Sequence, residues 1–411
     1  MLKNICKFKV KEKKPNYNFE LFYYAQAAKK ERLLKNWTLD YVSHGLCSIS
    51  YMSKFENHLI KPETRFLKEL QKVYGVKFEN KQLEKTQEIL DKVLTVFIHN
   101  DHDALYSMFQ SIKHNNFNVP RSLILCFYYL LIKDDNSLIK EIKELDTIKD
   151  SMTNQEQILL LFIVMQHKLN NYDFLDMVYY LKCFDEVMLT SYEEKWMLAY
   201  IEMLYGYHIN DISIILKHKK ILFDEGNMFY PTSGKIKANL IFLEIISRNA
   251  FANVIKEVEV INANFFNDKF ANDIFYLRCL ILLNGFKYEE VVKEIIDKEL
   301  MVEDRFLALI GYCAYKTRLD LAIQYFENYS TNFSYAKSGE IHKIFNGFIS
   351  MLIKDPKNKN LEIREIMKFD IIPYNKTHKH VLYSKVYYDY FVNILRSESK
   401  YKDTVNFIMN N

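Results

Sequence analysis

Glycine and proline are scarce in this chain, whose 411 residues include 9 Gly and 6 Pro. These two residues build the tight turns and strand boundaries of β-proteins, so their scarcity argues against a sheet-rich fold. Leu, Ile, Lys and Glu are abundant instead, and most of them favour helices. Hydrophobic residues make up 49% of the chain and charged residues 26%, which is typical of a globular protein long enough for a large core or two domains. The composition predicts an all-α protein.

Long apolar runs are also missing. The most apolar run, 123–132, is too short to span a bilayer, and the N-terminal residues lack the apolar stretch of a signal peptide. The six cysteines stand singly, with no CxxC pair: Cys6, Cys47, Cys126, Cys183, Cys279 and Cys313. Such spacing is typical of reduced, buried thiols in an intracellular protein. We therefore expect a cytoplasmic protein that does not contact a membrane.

Motifs of catalysis and metal binding are absent from the sequence as well. It contains no GxGxxG, GxxxxGK[ST], HExxH or GxSxG motif. The 11 histidines are dispersed, and the closest pairs are His99 with His102 and His378 with His380. Either pair could be a metal site in a loop, but both lie in polar stretches between helices, which explains them more simply. We expect no enzyme, no cofactor and no metal.

Positive charge is concentrated at the N-terminus. Residues 1–76 hold 15 Lys and Arg against 7 Asp and Glu, a net +8, whereas the whole chain has +4 and the remainder therefore −4. A basic head on a mildly acidic body is typical of a separate module that binds a polyanion. A basic N-terminal arm, 1–17, includes a third of these positive residues as the closely spaced Lys7, Lys9, Lys11, Lys13 and Lys14. This arm can equally be a solvated tail.

Residues 18–78 are predicted to form a small helical bundle. Thr38 and Ser48 can each cap a short helix, because their hydroxyls accept hydrogen bonds from first-turn N–H groups. Gly45 can end the first of these helices in the left-handed conformation, and Pro62 can open a further helix in its first turn. The predicted helices span about 19–35, 38–45, 48–57 and 62–74. Apolar residues at helical spacing give the expected core: Trp37, Val42, Leu46, Met52, Phe55, Leu67, Leu70 and Val73.

Residues 36–57 resemble the helix-turn-helix of the Cro/repressor (XRE-type) family. The stretch GLCSISYMSKFEN is similar to the variant in PlcR- and NprR-type regulators, in which a Cys follows the turn. The resemblance implies that Arg32 pairs with Glu56 and fixes the recognition helix, 48–57, against the first helix. The Gly that usually follows Glu-Asn in the family is His58 here. The resemblance also implies that the recognition helix enters the major groove of DNA.

The resemblance assigns the DNA contacts residue by residue. It places Leu39 and Lys61 near phosphates. Lys54 can donate to guanine O6 and N7, Ser50 can pair with several bases, and Tyr51 can reach the DNA backbone or a thymine methyl group. The expected DNA-binding set is Thr38, Leu39, Ser48, Ile49, Ser50, Tyr51, Lys54 and Lys61. The alternative is that the bundle only caps the helices that follow it.

Residues 79–411 are repetitive. Apolar helices are interrupted by polar breaks near residues 100, 135, 171, 210, 250, 286, 318 and 355, at intervals of 32 to 40 residues. This period is close to the 34 residues of a tetratricopeptide (TPR) repeat. After several breaks a similar apolar pattern recurs, as in Tyr172, Leu175 and Tyr179. One hairpin cannot bury its apolar face alone, so stacking into a right-handed superhelix is expected. The repeats resemble degenerate TPRs, with HEAT-like hairpins as an alternative for individual repeats.

The repeat frame predicts which side chains line a concave surface. An extended peptide bound there needs partners for its N–H and C=O groups, and an Asn offers both a donor and an acceptor. Asn239 and Asn284 are therefore the best candidates to hold a peptide. The expected peptide-binding set is Gln157, Tyr200, Asn239, Tyr276 and Asn284. Polar residues on such a surface can also serve only to keep it wetted.

A helix-turn-helix joined to repeats resembles the peptide-responsive (RRNPP-type) regulators PlcR, NprR, Rgg and PrgX. The resemblance implies a quorum-sensing transcription regulator that binds double-stranded DNA, takes a short signalling peptide into its repeats and forms a homodimer. Peptide binding would then change the spacing of two DNA-binding heads relative to their half-sites. Two alternatives stay open at this point. One is a TPR scaffold that regulates a partner protein, and the other is a phage or plasmid repressor with no peptide ligand.

Overall fold

A computed structural model describes residues 19–75, 83–99, 101–184, 189, 191–222, 239, 268–300, 303–330, 340–354, 361–397, 400 and 402–403. Within these ranges the chain is a succession of helices and turns, and its only β-type pairing is one isolated bridge between Asp173 and His378. The predicted all-α class is confirmed. The basic arm, 1–17, and the predicted breaks near 250 and 355 lie outside the described residues.

Four helices form the N-terminal bundle: α1 (Phe19–Leu34), α2 (Leu39–Ser43), α3 (Ile49–Glu56) and α4 (Thr64–Tyr74). Both predicted caps are confirmed, because the Thr38 hydroxyl accepts from the third N–H group after it and the Ser48 hydroxyl does the same, each at 3.1 Å. Gly45 follows α2 with a φ of 76°, as predicted. The helix predicted from Pro62 begins later, because Glu63 is still extended and forms the N-cap of α4.

The bundle core contains most of the predicted apolar residues. Val73 is the exception and is 40% exposed. The buried stripe of α4 consists of Phe66, Leu70 and Tyr74 at intervals of four residues, which leaves Val73 beside the stripe. α1 contributes small side chains that allow close helix packing. The buried members of the core are Ala25, Ala27, Ala28, Val42, Met52, Phe55, Phe66, Leu70 and Tyr74.

The repeats begin with α5 (Leu83–Ile98), α6 (His102–Ile112), α7 (Val119–Ile132), α8 (Asp135–Asp146), α9 (Asn154–Asn170), α10 (Met177–Cys183), α11 (Tyr192–His208) and α12 (Ile212–Leu222). A short 3-10 turn, Lys149–Ser151, precedes α9. α5 packs on α6, α7 packs on α8, and α5 also packs on α7. This is the pattern of stacked hairpins, in which first helices contact one another as well as their own second helices.

The later repeats show the same pairing. They comprise α13 (Asp268–Asn284), α14 (Tyr288–Asp297), α15 (Asp304–Thr317), α16 (Asp320–Ser330) and α17 (Glu340–Lys354). α13 packs on α14, α15 on α16, and α15 also on α17. The last helices are α18 (Leu361–Ile366), a π-helical turn (Met367–Ile371), α19 (Ile372–Asn375) and α20 (Val381–Ser397).

The described residues fall into two compact units. One comprises those of 1–167 and 176–201, and thus holds the N-terminal bundle together with the first hairpins. The other comprises 168–175, 202–222 and the described residues from 239 onward. The boundary predicted between residues 78 and 79 stays a prediction.

The predicted breaks near 135, 171, 210, 286 and 318 are confirmed as turns inside hairpins. At each of them one residue other than Gly adopts a positive φ, between 55° and 61°: Lys133, Tyr172, Asn210, Phe286 and Arg318. The predicted break near 100 separates α5 from α6. The chain therefore reverses by the same left-handed turn in hairpin after hairpin.

The apolar positions predicted in the helix after Tyr172 are wrong, because the buried residues lie at other positions. Leu175 and Tyr179 are 39% and 48% exposed, whereas Met177 and Tyr180 are buried. The shift arises because Asp176 adopts a φ of 65° and α10 begins only after it. A repeat counted from the turn therefore starts its second helix later here than in the other hairpins.

The cysteines in the described ranges are free thiols, as expected. Cys126, Cys279 and Cys313 are buried, but Cys47 and Cys183 are only partly buried, which corrects the expectation that all are core residues. Cys6 lies outside the described residues. Among the described helices, none has the length and apolar character needed to cross a membrane.

Candidate nucleic-acid interface

The candidate recognition helix, α3, is held by an ion pair with α1. The Arg32 guanidinium donates through Nε and Nη2 to the two carboxylate oxygens of Glu56, both at 2.7 Å. Its remaining nitrogen, Nη1, donates to the Trp37 carbonyl at 3.1 Å. The hydrogen bonds to Glu56 raise the pKa of Arg32. The pair predicted from the family resemblance is therefore present, and it ties α1 to the end of α3 and to the turn before α2.

Four side chains predicted to face DNA are exposed on α3 and its cap. Ser48, Ile49, Ser50 and Lys54 all reach solvent, and Ile49 is 48% exposed. The inner side of the same helix is anchored by Met52 and other buried residues. α3 therefore presents hydroxyl, aliphatic and ammonium groups outward on a short, capped element. These are the groups that read base edges and thymine methyls.

The other predicted contacts differ in their accessibility. Thr38 and Lys61 are exposed. Tyr51 is half-buried, with its ring packed edge-on against Phe66 at a centroid distance of 5.0 Å. Leu39 is also half-buried and packs against the bundle core. The structure thus brings the exposed residues of α3 together and leaves two of the predicted set partly inside the bundle.

Exposed cations on α4 were missed by the sequence reasoning. Arg65, Lys68 and Lys72 are exposed at intervals of three and four residues, which places them on one side of the helix. Lys72 forms an exposed ion pair with Glu69 at 2.7 Å. The helical spacing of the basic residues was the available signal, but the family resemblance drew attention to α3 instead.

His58 lies directly after Glu56 and Asn57, where the resemblance would have a Gly. It has a φ of 61°, which is the conformation that a Gly adopts without strain. Its ring is buried, and Nε2 lies 3.2 Å from the Ser151 carbonyl oxygen. His58 therefore has a backbone conformation that is unfavourable for residues other than Gly, and its ring contacts the repeats.

Two of the predicted peptide-binding residues lie in the core of the first unit. Gln157 is buried and donates to the Lys149 carbonyl at 2.9 Å, which holds the turn before α9. Tyr200 is 1% exposed and stacks on Trp196 at a centroid distance of 5.6 Å. The prediction that these side chains line an open surface is therefore wrong. The period of the repeats identified the first helices but not which of their sides is outward.

The remaining predicted peptide-binding residues differ from one another. Tyr276 is also buried, and its hydroxyl lies 2.9 Å from His380 Nε2, so it too corrects the expected open surface. Asn239 is buried. Asn284, the last residue of α13, is exposed. Of the five, Asn284 alone has an exposed side chain.

A buried histidine and tyrosine cluster surrounds Tyr276 in the second unit. His342 Nδ1 lies 2.9 Å from the Tyr383 hydroxyl, and the His380 ring stacks on the Tyr383 ring at 3.9 Å. Burial lowers the pKa of His342 to about 3, helped by the positive charge of Arg305, and lowers the pKa of His380 well below its usual value. These histidines are neutral core residues. Within the described residues, no group of three His, Cys, Asp or Glu could hold a metal ion.

No protein-family model matches the chain, and no curated protein sequence matches it. Among solved structures, the chain is similar to Bacillus thuringiensis PlcR in complex with the peptide PapR7 and DNA, with 15% sequence identity and a TM-score of 0.21. The similarity covers 74% of this chain and 95% of that one. Because both the identity and the TM-score are low, this likeness decides neither fold nor function.

Proposed function

We propose that this chain is a cytoplasmic transcription regulator of the peptide-responsive (RRNPP) type. Its N-terminal bundle binds double-stranded DNA through α3, and its repeats bind a short signalling peptide and form a homodimer. The observation that carries the proposal is the outward row of Ser48, Ile49, Ser50 and Lys54 on a helix fixed from behind by Arg32. A recognition helix needs this combination of an accessible polar face and a rigid mount.

The charge distribution supports the DNA-binding half of the proposal. Residues 1–76 carry a net +8, and both Lys54 and Lys61 are exposed. Cations beside a recognition helix add the sequence-independent attraction to phosphates that precedes base recognition.

The peptide-binding half is supported by the stacked hairpins and by the exposed Asn284 at the end of α13. Stacked helical hairpins offer an extended surface on which a peptide can be held. The buried Gln157, Tyr200, Asn239 and Tyr276 do not support it. We therefore propose that the peptide contacts repeat side chains other than these four.

The DNA-binding half is tested with duplex DNA from upstream of the chain's own gene. We expect a salt-sensitive complex, weakened at least about tenfold in the variant Ser50→Glu/Lys54→Glu, because each base contact contributes roughly 1–3 kcal/mol. The matched control is Ser107→Glu/Lys140→Glu, which makes the same charge change at exposed positions on α6 and α8. Equal binding by both variants would contradict the proposal.

The peptide and dimer are tested by native mass spectrometry of protein isolated from its own host. We expect a mass of twice 49.3 kDa plus a ligand of peptide mass. A DNA complex that forms normally in protein carrying no such ligand, and that candidate peptides leave unchanged, would favour the repressor without a peptide. No DNA complex together with one stoichiometric protein partner would favour the scaffold.

A further inference from the structure

One face of α1 packs against the repeats and not into the bundle core. Tyr23, Gln26 and Lys30 are spaced by three and four residues, which places them on one side of the helix, and all three are buried. The Tyr23 hydroxyl donates to Glu156 Oε1 at 2.9 Å, and Gln26 Nε2 donates to the Ser151 carbonyl at 2.8 Å. α1 is therefore both a bundle helix and a docking element within the first compact unit.

Glu156 stands at the centre of this contact because of its place at the start of α9. Its Oε2 accepts from the Thr153 N–H at 2.7 Å, while the Thr153 hydroxyl accepts from the Glu156 N–H at 3.2 Å. This is a capping box, which fixes the carboxylate at the helix start. The other oxygen, Oε1, remains for Tyr23. The Glu156 side chain thus caps the start of α9 and also accepts a hydrogen bond from the bundle.

Two further contacts complete the docking. The Ser151 carbonyl lies within hydrogen-bonding distance of both Gln26 and His58, so it meets α1 and the turn after α3 together. Lys30 pairs with Glu144 at 2.6 Å, and its ammonium lies 3.7 Å from the centre of the Phe117 ring. The bundle is therefore held at three separate points on residues 117–156.

We infer that Glu156 is a positioning residue, which fixes the DNA-binding bundle on the first hairpins so that the two move as one rigid body. This inference rests on the proposed function for its consequence, because a fixed bundle transmits any movement of the repeats to α3. Undocking would separate the Tyr23 hydroxyl from Glu156, the Gln26 amide from the Ser151 carbonyl and the Lys30 ammonium from Glu144. It would also break hydrogen bonds to charged groups, which are stronger than neutral ones.

The positioning is tested on the full chain without DNA. Spin labels carried by a genetically encoded ketone amino acid at positions 54 and 107, both exposed, report the distance between α3 and α6 by pulsed electron paramagnetic resonance. Two variants weaken the docking from opposite sides: Glu156→Gln in the repeats and Tyr23→Phe/Gln26→Met in α1. The matched control is Glu194→Gln, because Glu194 forms the same kind of capping box with Ser191 at the start of α11.

We expect a narrow distance distribution in the wild type and in Glu194→Gln, and a second, broad population in both docking variants. Glu156→Gln removes the charge that strengthens the bond from Tyr23, and the α1 variant removes both donors; each change raises the undocked population about tenfold. Melting temperatures of Glu156→Gln and Glu194→Gln control for general destabilisation. The inference is overturned if the docking variants keep the wild-type distribution, or if Glu194→Gln broadens it equally. Because no DNA is present, either outcome is independent of whether the chain binds DNA.

Discussion

Arg32 and Glu56 form a two-pronged ion pair in which both nitrogen–oxygen distances are 2.7 Å. Their side chains are only 11% and 3% exposed, so the pair is shielded from water. Removing one partner of such a pair leaves an unpaired charge inside the protein, which costs far more than removing both.

We expect Arg32→Met to destabilise the bundle by about 3 kcal/mol, because Glu56 would stay buried without its partner. The double variant Arg32→Met/Glu56→Leu should be more stable than this single variant. The measurement is urea unfolding followed by Trp37 fluorescence in a Trp196→Phe background, which leaves Trp37 as the sole tryptophan. A double variant that is no more stable than Arg32→Met would contradict the expectation.

Lys61→Gln should weaken DNA binding and also lower its dependence on salt, because the exposed Lys61 is the lysine expected near phosphates. Each phosphate contact that is lost reduces the slope of log affinity against log salt by about 1. Titrations at several salt concentrations measure this slope. Lys140→Gln removes an exposed lysine from α8 and should leave the slope unchanged. Equal slopes for the wild type and Lys61→Gln would show that Lys61 does not contact phosphate.

The buried His342 should make the stability of the second unit depend on pH. Its pKa is about 3 in the folded chain and about 6.5 in an unfolded one. Below pH 6.5 the unfolded state therefore binds a proton at this histidine that the folded state does not bind. As the pH is lowered, the free energy of unfolding falls by up to about 1.4 kcal/mol per pH unit. Above pH 6.5 this contribution is constant.

The variant His342→Phe should therefore lose less stability between pH 7 and pH 5 than the wild type does, by about 2 kcal/mol. Urea unfolding followed by circular dichroism at the two pH values measures the difference. Other titrating groups affect both proteins alike and cancel in the comparison. His114→Gln replaces an exposed histidine and serves as the control. The same pH dependence in His342→Phe and in the wild type would refute the prediction.

Two helical glycines should respond oppositely to a methyl group. A Cβ on Gly311 would lie 2.6 Å from Phe326 Cε2 and 3.1 Å from Ile349 Cγ2, whereas a Cβ on Gly347 would meet nothing within 4 Å. Gly311→Ala should destabilise the chain by roughly 1–3 kcal/mol, since the close packing of α15 leaves no room. Gly347→Ala should stabilise it by up to about 1 kcal/mol, since Ala favours a helix. Thermal unfolding of both variants decides, and a stabilised Gly311→Ala would be contrary to the packing described.

The features that the sequence predicted well are those decided over a few residues. The caps at Thr38 and Ser48 each depend on an N–H group three residues away, and the hairpin turns on local polar stretches. Predictions that depended on which side of a helix faces solvent were less accurate. Tyr200 was expected on a surface but is buried, because a repeat period fixes which helix comes first and leaves its rotation open.

The docking of α1 was not predictable from the sequence. Gln26 and the Ser151 carbonyl are separated by 125 residues, and a polar side chain in a helix is ordinarily a sign of solvent exposure. Only the assembled unit shows that Gln26 faces a second set of helices. The capping sequence from Thr153 to Glu156 was visible, but it predicts a helix start and says nothing about a second partner for the carboxylate.

The left-handed turns have a consequence for how the array of hairpins can adapt. Lys133, Phe286 and Arg318 keep long side chains in a conformation that costs roughly 1–2 kcal/mol for residues other than Gly. Each of these hairpins carries this cost once, at the turn where the backbone reverses. Stability can thus be raised one hairpin at a time by a single substitution to Gly at the turn, while the helices on either side keep their amino acids.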